Sequence, residues 1–203
     1  MKVVKLEGTP KAMGECFGET YREEIQSFYE LRLANALEQA AKYGDRNLVE
    51  DQVLSVSREC LSLTEGFDPD GYIELVATAR AANLQAEQLW ALNGLTDLRD
   101  ILAWDDLSVY GGGCSSFVIQ GDRTVDGHVL CGQTWDLATD NMPFVIGVHR
   151  VPHDAPQTWC LTTMGCLSLI GMNEEGIAIG TTNLRSKDAR RGVCYLSIIH
   201  KVL

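Results

Sequence analysis

The hydrophobic period of this chain changes at Cys114, and that change limits the fold more than any other feature. Before it, Ile25, Phe28, Tyr29, Leu33, Ala36, Leu37 and Ala40 recur at three- and four-residue steps, the spacing of an amphipathic helix. After it, short apolar runs alternate with turn residues, as strands do. Helices first and strands second predict an α+β fold rather than an alternating α/β one.

Stop signals divide the helical part. A long helix is expected over 11–43, ended by Gly44. Asn47 with Glu50 has the spacing of a capping box and predicts a second helix to about Thr64. Asp68-Pro69 places a capping carboxylate before a first-turn proline and opens a third. A fourth is expected over 86–103, with Gly94 as a breaking point. A short strand at 2–6 precedes them. Beyond Cys114, strands are predicted at 115–120, 127–134, 143–151, 157–163, 167–172 and 176–182. Gly121-Asp122, Asp126-Gly127 and Glu175-Gly176 mark turns between them. A last helix begins near 192 and stops at Leu203 with no cap or polar tail, so the natural chain is expected to continue. These boundaries divide the chain into a helical segment, 1–113, and a strand-rich segment, 114–203.

Charge follows the same division. The net of −11 is carried almost wholly by residues 1–113, which hold 10 basic and 20 acidic side chains. That surface disfavours nucleic acid and anionic membranes as partners. The apolar runs are too short to span a bilayer, and Glu7 arrives too early for a signal-peptide core. Seven cysteines without a C-x-x-C pair argue against a disulfide framework or zinc ribbon and for a reduced, cytoplasmic setting.

Chemistry concentrates at the point of change. In Gly111-Gly112-Gly113-Cys114-Ser115-Ser116 a flexible run delivers a cysteine to the start of a strand, Phe117-Val118-Ile119. A thiol there can attack the carbonyl of Gly113. The resulting N-to-S acyl shift, followed by hydrolysis, leaves a new terminus at Gly113 and a free amine on Cys114. That amine, with an ordinary pKa of roughly 7.7–8.0, can serve as the base for its own thiol. No histidine is then required. His128 and His149 fall in predicted strands, His153 in a turn and His200 in the last helix, where structural roles suffice. On these residues alone, a cysteine merely buried after a loop is an equal alternative. Two further segments bear on it. Gly132-Gln133-Thr134-Trp135-Asp136 ends the strand that would pair beside Cys114. Trp135 there can wall a pocket, and Asp136 can accept from the Cys114 amine or a substrate nitrogen, or simply complete a turn. The run from Gly171 to Asn183 reads as a hairpin with a long turn around Asn173-Glu174-Glu175-Gly176. Asn183 at its end offers an amide donor to an oxyanion, or a turn cap.

The order of these segments, with Gly8-Thr9-Pro10-Lys11-Ala12-Met13-Gly14-Glu15-Cys16-Phe17-Gly18 at the start, resembles the acyl-coenzyme A:6-aminopenicillanic acid acyltransferase family of N-terminal nucleophile (Ntn) hydrolases. The resemblance spans the chain in several blocks. It implies an Ntn-hydrolase αββα sandwich, truncated here, behind a helical pro-region. By it, Cys114 is the processing and catalytic nucleophile, Gly113 supplies the scissile carbonyl, Asp136 is the active-site aspartate and Asn183 belongs to the oxyanion hole. Thr134 and Trp135 would contact substrate, although the family often has asparagine where Thr134 stands. The family also has a later active-site arginine for which this sequence offers no position. The implied substrate is a small acyl amide or acyl thioester, cleaved by water or transferred to an amine. Hydrolysis of N-acyl amines is favoured over coenzyme A-dependent transfer, because a strongly acidic chain weakly repels an anionic coenzyme. No metal or redox cofactor is expected. The two cleavage products would remain together as a heterodimer. A binding or scaffold protein with a buried Cys114 is the reading of another class.

Overall fold

Residues 1–44, 47–102, 113–184, 186 and 188–203 are described by a computed structural model. Gly111 and Gly112 of the glycine run, and Ala103 at the expected end of the fourth helix, lie outside them. The chain opens on β1 (Lys2–Gly8), two residues longer than expected. Gly8, at φ +116°, turns it into α1 (Pro10–Thr20), where Thr9 Oγ1 accepts from the Ala12 N–H and Pro10 occupies the first turn. The expected 11–43 helix is two helices: Tyr21 leaves helical geometry (φ −121°, ψ 30°) and α2 (Arg22–Tyr43) starts afresh. Gly44 closes α2 on the Ala40 carbonyl. The next helix, α3 (Glu50–Phe67), starts at Val49 rather than Asn47, because the Gln52 side chain accepts from the Val49 N–H (3.1 Å). Asp68 caps α4 (Pro69–Ala81) through the Gly71 N–H, as the sequence predicts. α5 (Ala86–Leu102) runs unbroken through Gly94, which makes room for the Trp90 ring instead of interrupting the helix. Among the described residues no helix is long and apolar enough to cross a membrane.

The strands after Cys114 follow in the predicted order but are mostly shorter. They are β2 (Ser116–Ile119), β3 (Leu130–Gln133), β4 (Val145–Pro152), β5 (Thr158–Thr163), β6 (Ile170–Asn173) and β7 (Ala178–Ile179), and α6 (Tyr195–Val202) closes the chain. β2 and β3 form an antiparallel hairpin of their own. The others join β1 in a five-stranded mixed sheet of order β1-β4-β5-β6-β7. β1 lies parallel to β4 over seven residue pairs, Lys2↔Ile146 to Gly8↔Pro152, and the remaining pairs are antiparallel. A parallel neighbour needs a long crossover, and here the crossover includes all five N-terminal helices. The fold is therefore α+β with a mixed sheet.

One apolar core spans Cys114. Leu6 of β1, Phe28 of α2, Leu75 of α4 and Leu89 of α5 share it with Ile146 and Val148 of β4 and with Met164 and Leu196. Along β4, Ile146, Val148 and Arg150 alternate inward, the period of two that sets one face of a strand. Asn93 ties α5 to the turn after β5. Its amide donates to the Leu89 and Gly165 carbonyls (2.8 and 3.1 Å) and its Oδ1 accepts from the Leu167 N–H (2.8 Å). A buried amide with all these bonds made orients a segment at little desolvation cost.

Candidate active site

The β2–β3 hairpin sets the place of Cys114. Its ladder pairs Ser116 with Gln133 and continues one step further, where the Thr134 N–H donates to the Ser115 carbonyl (2.8 Å). The Thr134 hydroxyl accepts from the Ser115 N–H (3.0 Å). Thr134 thus braces the backbone beside Cys114, which commits the hydroxyl that the resemblance would aim at substrate. Trp135 and Asp136 follow directly on this braced end. Asp136 Oδ2 accepts from the Gly113 N–H at 3.3 Å, so its carboxylate stands next to the bond between Gly113 and Cys114.

A second brace brings in the 180–184 segment. Gln133 Nε2 donates to the Thr181 carbonyl (3.1 Å), and its Oε1 accepts from the Thr181 N–H (2.5 Å). Gly180 allows that approach, since a Cβ there would lie 2.7 Å from Gln133 Oε1. Asn183 is not a strand end, because β7 stops at Ile179; it lies in the loop that Gln133 holds. The hydrogen-bonding edge of one side chain therefore does what an extended ladder was expected to do.

Cys114, Trp135, Asp136 and Asn183 line one cavity of about 460 Å³, within the usual range for small-molecule sites. Cys114 is half-buried on its wall, whereas Cys60, Cys160, Cys166 and Cys194 are buried and Cys16 and Cys131 exposed. Burial pushes the Cys166 and Cys194 thiols up to about 11 and about 12, so both stay protonated and inert near neutral pH. All seven cysteines are free.

The cavity also takes residues from the helices that the motifs did not indicate: Arg32 of α2, Asp97 and Arg99 of α5, and Asn141. Arg32 had a sequence signal. It stands four residues from both Phe28 and Ala36, in the middle of the apolar stripe of α2, where a guanidinium needs a reason. Burial pushes the Asp97 carboxyl up to about 6, against the pull of the Tyr195 N–H that it accepts at 3.2 Å.

Among the described residues no histidine lines this cavity. His149 stacks on Trp159 (4.9 Å between rings) and pairs with Gln157 (3.0 Å). The His153 N–H donates to the Gly8 carbonyl (3.2 Å). His200 meets Ser168 Oγ at 3.0 Å in a buried network with Glu74. His128 lies before β3, not in the strand predicted for it. Among the described residues no group of three or more His, Cys, Asp or Glu side chains could hold a metal ion. The chain matches no protein-family model, and no curated protein matches it.

Proposed function

We propose that this protein is a self-processing cysteine Ntn hydrolase that cleaves N-acyl amines. The observation that carries this reading is the convergence of Cys114, Trp135, Asp136 and Asn183 on one cavity, with the Asp136 carboxylate hydrogen-bonded to Gly113. In the uncleaved chain, Cys114 Sγ adds to the Gly113 carbonyl carbon. The C–N bond breaks, the thiol proton passes to the departing Cys114 nitrogen, and a thioester remains. Water hydrolyses it, leaving a carboxylate on Gly113 and restoring the thiol. The freed amine lies within reach of Asp136, a strong acceptor for a charged N–H. With a pKa near neutrality it takes the proton of its own thiol. The thiolate then attacks the substrate carbonyl, Asn183 donates to the oxyanion, and the amine returns the proton to the leaving nitrogen. Hydrolysis of the acyl-cysteine completes the cycle. An amine acceptor in place of water makes the same site an acyltransferase.

In this reading the α+β fold is an Ntn αββα sandwich. Residues 1–113 are its pro-region and 114–203 the first part of its catalytic domain. The shared core and the seven-residue β1–β4 pairing favour a heterodimer of the two cleavage products. Seven free cysteines suit a reducing, cytoplasmic compartment.

Mass spectrometry of the purified chain tests the reading. Two pieces divided between Gly113 and Cys114 are expected, co-eluting under native conditions, with Cys114→Ala remaining intact. The processed protein should release amine from N-acyl arylamides. A chain that stays whole, and whose Cys114 resists thiol labelling, would leave only a binding or scaffold role.

A further inference from the structure

The nucleophile and the oxyanion donor proposed above stand on different parts of the fold. Cys114 precedes β2, whereas Asn183 lies beyond the end of β7. β7 is only Ala178–Ile179, paired with Met172 and Gly171 of β6, so the five-stranded sheet releases the chain before Asn183. Packing does not recapture it, because Thr182, Asn183 and Leu184 are exposed. A segment with so little burial opens easily unless hydrogen bonds hold it. Further along, the Ser186 N–H donates to Asp100 Oδ2 at 3.2 Å. Nearer Asn183, the bonds come from the last residue of β3. Gln133 Nε2 donates to the Thr181 carbonyl and its Oε1 accepts from the Thr181 N–H, so one planar amide makes both bonds of a ladder pair. Its own backbone pairs with Ser116, two residues after Cys114. Gln133 stays out of the cavity lining, while Trp135, Asp136, Thr181, Thr182 and Asn183 belong to it.

We infer that Gln133 is a positioning residue: its side chain fixes Asn183 relative to Cys114 and so governs the chemical step without touching substrate. The inference rests on the hydrolase reading for the roles of Cys114 and Asn183, and on the Gln133–Thr181 geometry for their coupling. An oxyanion donor acts only when aimed at the developing charge, and a misplacement of about 1 Å can cost about 100-fold in rate. Both edges of the amide matter. A carboxylate at this position keeps the acceptor but loses the donor, and regains it on taking up a proton. Gly180 gives an independent handle. A Cβ there would meet Gln133 Oε1 at 2.7 Å. That oxygen is the far end of a flexible side chain, so Gly180→Ala displaces the amide from Thr181 without disturbing the core.

Kinetics on N-acyl arylamides, with hydrogen exchange at the Thr181 amide, test the assignment. Gln133→Met and Gly180→Ala should each lower kcat by about 10- to 100-fold and leave KM nearly unchanged. Self-cleavage should persist in both, because Thr134 and Asp136 hold the Gly113–Cys114 bond. The Thr181 amide should exchange slowly in the parent and fast in both variants. Adding Gln133→Met to Asn183→Ala should cost little more than Asn183→Ala alone, since an absent donor cannot be misplaced. Relative to the parent at the same pH, Gln133→Glu should be slow at about pH 8 and recover as the new carboxyl takes up a proton toward about pH 5. A side chain that merely fills space gives no such recovery. Undiminished kcat in both variants, costs that add to that of Asn183→Ala, a Gln133→Glu deficit equal at every pH, or a Thr181 amide still protected in Gln133→Met overturns the positioning role and leaves the hydrolase reading intact. Loss of self-cleavage in both variants also overturns it, since the clamp would then serve the nucleophile rather than Asn183. A parent chain without turnover overturns the hydrolase reading and the positioning role with it.

Discussion

Asp97 holds a carboxyl that burial pushes up to about 6, well above the ordinary aspartate range. Its hydrogen bond from the Tyr195 N–H favours the charged form but does not offset the desolvation, and Asp100 adds to the rise. The folded state thus holds the proton more tightly than the unfolded chain does. Stability from this group is complete at low pH and falls as pH rises from about 4 through about 6. A tenfold change in proton affinity is worth about 1.4 kcal/mol, so the cost at neutral pH is about 2–3 kcal/mol. Asp97→Asn keeps an oxygen to accept from Tyr195 and removes the charge. It should raise stability by about that amount at pH 7.5 and by almost nothing at pH 4. Urea denaturation at the two pH values reads the difference. An equal effect at both would mean that Asp97 does not titrate in this window.

Between elements, the closest approach that depends on sequence is α1 on α4. Gly14 and Gly18, one turn apart, face the α4 backbone. A Cβ on Gly14 would lie 2.8 Å from Ala77 Cβ, and one on Gly18 2.7 Å from Ala81 Cβ. Neither neighbour can move without shifting a helix. Gly14→Ala or Gly18→Ala should therefore cost about 1–3 kcal/mol despite the better helix propensity of alanine. A gain in Tm for both would mean that the helices separate easily. The same scale shows what could be read in advance. Asp68-Pro69 marked a helix start correctly because both signals act within one turn. The break at Tyr21 was hidden, because the residues on either side of it continue a helical pattern. The start at Val49 was missed because a glutamine side chain, not an Asn-Glu pair, closes that end. β7 is short because Gln133 takes over the pairing of Thr181, a tertiary contact that no local pattern encodes. At the site, the cysteine, Trp135-Asp136 and Asn183 were legible as short motifs near turns. Asp97 was not, since a charged side chain on a helix ordinarily reads as solvent-facing; Arg32 carried a signal only through its place between Phe28 and Ala36 in the apolar stripe of α2, outside any motif.

Across the whole molecule, the two parts that meet at Cys114 are joined by charge as well as by apolar packing. Glu74 of α4 stands before Cys114; Arg150 of β4 and His200 of α6 stand after it. Arg150 Nε donates to Glu74 Oε1 at 2.8 Å, and both side chains are almost fully buried. Arg150 Nη1 reaches Ser168 Oγ at 3.5 Å, and His200 Nε2 lies 3.7 Å from Glu74 Oε2. Burial holds the His200 ring below its ordinary pKa, with Arg150 adding to that effect and Glu74 opposing it. A buried pair of this kind contributes little relative to a well-packed apolar one, but losing one partner strands the other charge. Glu74→Gln or Arg150→Met alone should cost about 3–5 kcal/mol. Glu74→Leu with Arg150→Met should recover most of that loss. Chemical denaturation of the four-member cycle built on Glu74→Leu and Arg150→Met measures the coupling between them. A coupling of about 2 kcal/mol or more is the signature of a paired charge between the two parts. Simple additivity would mean that each charge finds a partner or solvent without the other, and that apolar packing and the β1–β4 ladder hold the halves together on their own.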